Sequence, residues 1–218
     1  DAPLHIESAD YETDQEVIVS CENNWGDAFT QEENFGKRLA RVVNDLMKDK
    51  PINRVLDLNA DTGRLAFELA KYFDDITALD FTARMIRNPI KLQEQGYMRY
   101  TMKDEGDLVQ YRDVVLADFD LEDVKDKILF MQADAMNLKP NYTGYDLVIL
   151  PQLLEELSDP KLFLSHIHER INADGYLIIV SSYHWDEEKT KREKWLGGFK
   201  QDGEPVTSLD GIKAVLES

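Results

Sequence analysis

The chain has 218 residues, 43% of them apolar, and sets 25 Lys and Arg against 43 Asp and Glu, a formal net charge of −18. A surface that negative repels phosphate backbones and anionic lipid, which excludes nucleic acid and membrane surfaces as partners and leaves cationic or zwitterionic small ligands. The single cysteine, Cys21, excludes an internal disulfide and a Cys-rich metal site, and no apolar run approaches ~18 residues, so the reading is a cytoplasmic protein without a membrane span.

Residues 1–32 are polar and acidic with little periodicity and read as an extended arm or lid, with Tyr11, Trp25 and Phe29 as the aromatics that can pack on the domain. The domain itself is read over 33–218. From 33 to 50, apolar residues at Phe35, Leu39, Val42, Val43, Leu46 and Met47 mark one helix face, and Pro51 ends it. VLDLNADTG (residues 55–63) is an apolar run closing on Asp57, followed by a polar turn to Gly63 and the helical RLAFELAKYF. ITALD then makes a second strand ending in Asp80. Residues 82–95 read as a helix that Pro89 kinks or ends, and the stretch 81–127 exceeds one crossover helix, so 96–127 reads as an insertion. ILFMQA, YDLVIL and YLIIVSS supply three more strands, the last preceded by a helix over 160–172 that Gly175 stops. This alternation predicts an α/β, Rossmann-like fold, a mostly parallel central sheet with helices on both faces. After SLDGIKAVLES (residues 208–218) no further strands follow, so the C-terminal edge of the sheet reads as incomplete.

In such sheets a ligand lies at the C-terminal ends of the strands, cradled by the first strand-to-helix turn. Here Asp57, Asn59, Ala60 and Gly63 form that turn, with Asn59 and Asp61 where glycines are expected. Asp61 would repel a pyrophosphate, which disfavours dinucleotides; S-adenosylmethionine carries no phosphate, and its sulfonium tolerates carboxylates. Asn59 is expected to take the left-handed conformation in place of glycine. Asp80 can accept both ribose hydroxyls, Phe81 can pack on the adenine, and Thr82 is expected to cap the next helix. At the third strand end, Asp134 and Ala135 are placed for the adenine amine and ring; at the fourth, Pro151 and Gln152 are placed below the methyl group.

The strings MKDEGDL (102–108), SSYHWDEEKTKREKWLGGF (181–199) and YETD (11–14) carry a resemblance. Together they resemble the methyltransferase domain at the C-terminal end of ovothiol synthases, the mercaptohistidine N-methyltransferases. The resemblance implies a seven-stranded class I methyltransferase fold, transfer of a methyl group from S-adenosylmethionine to an imidazole nitrogen of 5-thiohistidine, and an iron-dependent sulfoxide synthase, fused or separate, as partner. In-line attack by a neutral imidazole needs positioning more than a strong base. For that acceptor Glu105 and Asp107 would meet the ammonium, Lys194 or Arg192 the carboxylate, and Tyr183, Trp185 or Trp195 the ring. The set chosen is Tyr11, Glu105, Asp107, Tyr183 and Trp195, all as binding groups.

The turn departs from the family pattern at Asn59 and Asp61. Two alternatives therefore stand beside the first reading: a fold retained without turnover in a larger synthase, and a methyltransferase for another small molecule. His166 and His168 are a poor metal pair, no metal is expected, and neither a G-x-S-x-G elbow nor a paired Cys and His appears.

Overall fold

The computed structural model describes residues 14–26 and 33–217. Asp14 opens the first element: its carboxylate accepts from the amides of Glu16 and Val17 and caps helix α1 (Gln15–Trp25). Val17, Cys21 and Trp25 recur every fourth residue and are all buried. The segment expected to be an extended arm is therefore, from residue 15 to 25, a helix packed on the domain. Tyr11 and Phe29 lie outside the described residues.

Helix α2 (Phe35–Met47) is capped by Asn34, whose amide group also donates to the carbonyls of Asn23 and Asn24. It buries Gly36, Leu39, Ala40, Val43 and Met47, while Phe35, Val42 and Leu46 of the expected face are exposed. The small residues explain the rotation: a Cβ on Gly36 would lie 3.0 Å from the Leu65 amide, so Gly36 and Ala40 turn inward where the backbones approach.

Strand β1 (Arg54–Asp57), helix α3 (Arg64–Leu69) and strand β2 (Asp75–Asp80) follow in the expected order, the helix ending at Leu69 rather than continuing to Phe73. Helix α4 (Ala83–Gln95) continues past Pro89, which does not end it. Proline leaves the Met85 carbonyl without its amide, and Asn88 Nδ2 donates to it at 3.1 Å and to the Arg84 carbonyl at 2.9 Å. The insertion is an antiparallel hairpin, β3 (Tyr97–Lys103) and β4 (Val109–Val115), followed by two short 3-10 turns.

The remaining elements are β5 (Ile128–Gln132), β6 (Tyr145–Pro151), α5 (Pro160–His166), β7 (Ile171–Val180), the ribbon β8 (Phe199–Gln201) and β9 (Glu204–Val206), and α6 (Ser208–Leu216). Gly175 does not stop a helix. The helical turn ends at Arg170, and Gly175 falls inside β7, where the register against β6 slips between Ile171 and Tyr176.

The central sheet is parallel throughout, in the order β5-β2-β1-β6-β7. Among the described residues no strand pairs beyond β7, and β8 pairs only with β9. Alternation divides the core: Val55, Ile76, Ala78, Leu147 and Ile149 face α1 to α4 and the hairpin, and Leu56, Leu79, Val148 and Leu150 face α5 and α6.

Candidate functional site

The strand order reverses direction between β1 and β6, because the chain builds outward from β1 to β2 and β5 and then returns to add β6 and β7. Such a reversal leaves a crevice at the C-terminal strand ends, since the connections leave on opposite sides. A cleft of about 900 Å³ opens there. Ser20, Asn59, Asp61, Asp80, Asp134 and Gln152 are among the residues lining it.

The turn after β1 is built by tight backbone contacts. Ala60 N–H donates to the Leu79 carbonyl at 2.9 Å and Gly63 N–H to the Ala60 carbonyl at 2.8 Å. Gly63 is left-handed at φ +91°, and a Cβ there would lie 2.4 Å from the Cβ of Pro89, so only glycine fits between the turn and α4. The other left-handed residue of the turn is Asp61, at φ +52°, and not Asn59. Asn59 instead sends its side-chain amide across the reversal to the Pro151 carbonyl, at 2.9 Å.

Asp80 is oriented by two amides: Asp61 N–H donates to Oδ2 at 2.9 Å and Thr82 N–H to Oδ1 at 2.7 Å. Thr82 makes no side-chain cap, contrary to expectation; the Asp80 carboxylate takes the amide instead. Burial raises the Asp80 carboxyl above its ordinary value, against the lowering effect of the two amides. Asp57, beneath the turn, is fully buried; its Oδ1 accepts from Asn59 N–H at 3.2 Å, and among the described residues its Oδ2 has no partner. Burial pushes it up to about 7, the Asn59 amide opposes this, and the charges of Asp80 and Asp61 add to it.

Asp61 is tied to α1. Ser20 Oγ and Asn24 Nδ2 donate to its two carboxylate oxygens, the latter at 3.0 Å. Burial raises its carboxyl while these two bonds lower it. Trp25 Nε1 donates to the Thr62 carbonyl at 3.0 Å, and the Trp25 ring meets Phe67 and Phe119 edge-on. Reasoning from sequence missed Ser20 and Asn24; the usable signal was Asp14 as a cap before apolar residues at helical spacing.

Asp134 lines the cleft and caps a short 3-10 turn by accepting from Met136 N–H at 2.9 Å, while Ala135 and the exposed Phe81 line it beside Asp134. Pro151 is buried and does not line the cleft, whereas Gln152 lines it at φ +52°. On the far wall, buried Glu155 accepts from Ser181 Oγ, Ser182 N–H and Ser182 Oγ at 2.8 to 2.9 Å. Burial would raise that carboxyl, but the serine bonds outweigh it and hold it below its ordinary value. This network fixes the loop that brings Ser182, His184, Asp186 and Lys189 to the cleft.

The proposed acceptor residues are scattered. Glu105 and Asp107 are exposed in the tip of the β3–β4 hairpin and do not line the cleft. Tyr183, left-handed at φ +57°, does not line the cleft as Ser182 and His184 do, and borders a shallow groove with Val206 and Leu209. Trp195 stacks on Trp185 at 6.3 Å and donates to the Thr190 carbonyl at 2.7 Å. Lys194 pairs with Asp159 at 2.6 Å, and Arg192 lies over the Trp195 ring. Tyr11 lies outside the described residues. Among the described residues no group of three or more His, Cys, Asp or Glu is placed to hold a metal, and no helix is long and apolar enough to cross a membrane.

The chain matches the methyltransferase domain family over residues 30–217 and belongs to that family. No curated protein matches the sequence. Among solved structures, it is similar to the [4+2]-cyclase SpnF at 17% identity, over 83% of this chain and 56% of that one, with a TM-score of 0.54. It is also similar to a TehB-like SAM-dependent methyltransferase from Corynebacterium glutamicum (17% identity, 68% and 63% covered, TM-score 0.45). A third is the glycopeptide N-methyltransferase MtfA complexed with S-adenosyl-L-methionine (18%, 68% and 56%, TM-score 0.48). The chain thus spans less than two thirds of the length of each.

Proposed function

We propose that the cleft takes S-adenosylmethionine, leaving S-adenosylhomocysteine as product, and that the chain is a cytoplasmic N-methyltransferase for the imidazole of 5-thiohistidine, working with a fused or separate iron-dependent sulfoxide synthase. One observation carries the cofactor reading: Asp80 faces the cleft from the end of β2 with each carboxylate oxygen already oriented by a backbone amide. Each oxygen keeps a lone pair for a ribose hydroxyl. The rest of the donor set fits the same ligand. Asp134 and Ala135 sit one strand away, and Lys189, the only Lys or Arg among the described lining residues, is paired with Glu156 at 2.9 Å. A cleft of that charge suits a sulfonium and an ammonium better than a pyrophosphate.

When bound, the cofactor supplies an electrophilic methyl group. The chain's own residues bind and orient: Asp80 the ribose, Asp134 and Ala135 the adenine. The loop fixed by Glu155 leaves Ser182, His184 and Asp186 to meet the acceptor. Support for thiohistidine is the likeness of residues 102–108 and 181–199 to the mercaptohistidine enzymes, together with an acid-rich wall for its ammonium. Calorimetric titration with S-adenosylhomocysteine tests the cofactor, with a micromolar Kd expected. Mass analysis of 5-thiohistidine incubated with the chain and S-adenosylmethionine tests the acceptor; an unmethylated product with the cofactor bound would move the reading to another small molecule.

The Asn59 bond favours a second reading, a domain that keeps the fold without turnover, because that side chain bridges the crevice between β1 and β6. Asn59→Gly is expected to tighten S-adenosylhomocysteine by about tenfold if the bridge obstructs the ligand. Absence of binding up to millimolar in both chains would favour the non-catalytic domain.

A further inference from the structure

The turn after β1 contains a residue that breaks the rule for such turns. Asp61 holds φ at +52°, a conformation glycine takes freely and a residue with a Cβ takes at a cost. Three features show what keeps it there. Its carboxylate is gripped at both oxygens from α1, by Ser20 Oγ and by Asn24 Nδ2. Asn24 Nδ2 also donates to the Ser20 carbonyl at 3.0 Å, so the pair acts as one fixture on the helix. The backbone N–H of Asp61, whose direction is set by that same φ, donates to Asp80 Oδ2.

We propose that α1 is a working part of the cofactor turn: Ser20 and Asn24 are positioning residues that hold Asp61 left-handed, and through its amide they set the carboxylate of Asp80. The side-chain anchors replace the conformational freedom of the absent glycine. The helix is therefore a substitute for a backbone property, and Ser20, which itself lines the cleft, also closes one wall. The functional part of this inference rests on the cofactor reading given above; the geometric part does not.

Binding and α1 docking are then linked reciprocally, each strengthening the other by the same factor. Two variants of the full chain separate this role from plain stabilisation. Ser20→Ala with Asn24→Ala removes both anchors, and adding Asp61→Gly restores a residue that takes the left-handed conformation unaided. The double variant is expected to bind S-adenosylhomocysteine about tenfold more weakly, and the triple variant to regain most of that loss although α1 still lacks its anchors. A helix that only stabilised the fold would give no such rescue.

Amide hydrogen exchange reads the geometry without ligand. The Asp61 amide should exchange about tenfold faster in the double variant and return toward the original rate when glycine replaces Asp61. Unchanged exchange in the double variant, or a triple variant that remains as fast as the double while retaining its thermal midpoint, overturns the proposal. If the unmodified chain fails to bind S-adenosylhomocysteine while exchange behaves as expected, the cofactor reading falls and the geometric role of α1 stands.

Discussion

Asp57 holds a proton at pH values where an ordinary carboxyl has lost it, because burial lifts it to about 7 and its Oδ2 has no partner among the described residues. The sign of the stability effect follows. Between the unfolded value of about 4 and the folded value, the native chain binds a proton that the unfolded chain does not, so this contribution is full below about pH 4 and lost as pH rises toward 7. Asp57→Asn keeps the Oδ1 acceptor and removes the titration. Relative to the unmodified chain it should gain on the order of 4 kcal/mol between pH 4 and pH 8, measured by urea unfolding across that range. The residue scale is also where the sequence misleads most. Asn and Asp tolerate the left-handed conformation about equally, so the string NADTG does not say which residue takes it. Partners far along the chain decide: Pro151 draws Asn59 away, and Ser20 with Asn24 holds Asp61.

One large side chain of helix α1 makes several of its contacts with the domain. Trp25 packs edge-on against Phe67 and Phe119, lies beside the Arg64 guanidinium and donates to the Thr62 carbonyl. Trp25→Ala should cost about 3–5 kcal/mol in urea unfolding, from the lost ring volume and an unpaired carbonyl at the turn. Strands β1, β2, β5 and β6 were legible because each is a short apolar run, the first three closing on a polar residue and β6 on Pro151, a pattern set locally. Helix α1 was not, since its sequence is acidic and its order comes from contacts with Thr62, Phe67 and Phe119. The hairpin inside the insertion was hidden for a similar reason: the alternation of Met98, Tyr100 and Met102 is weak, and its inner face is defined by what packs on it.

At the scale of the whole molecule, the sheet order determines which groups of the site were readable. The C-terminal ends of β2 and β5 border the cleft in a sheet of this order, so Asp80 and Asp134 could be placed from sequence, whereas Asp57 at the end of β1 is buried beneath the turn. Glu105, Tyr183 and Trp195 sit on a hairpin and loops whose course depends on tertiary packing, and none of them lines the cleft. The same order gives an expected footprint for the ligand. S-adenosylhomocysteine should slow amide exchange at the C-terminal ends of β1, β2, β5 and β6 and in the turn over 58–63, and leave the hairpin tip over 104–108 unchanged. Protection centred on the hairpin tip would move the binding site off the switch between β1 and β6.

Cys21 gives the molecule a built-in clock. The thiol sits fully buried on α1, and burial, with the charges of Asp61 and Glu22 beside it, pushes it up to about 12. Closed, it is nearly inert to alkylation, because the thiolate is the nucleophile and is scarce there. Exposed, it returns to an ordinary value near 8.5 and reacts readily. The rate at which iodoacetamide modifies the folded chain therefore counts how often α1 lifts from the domain. A ligand that seats against Asp80 should slow that count in proportion to its occupancy, with no second cysteine to confuse the signal.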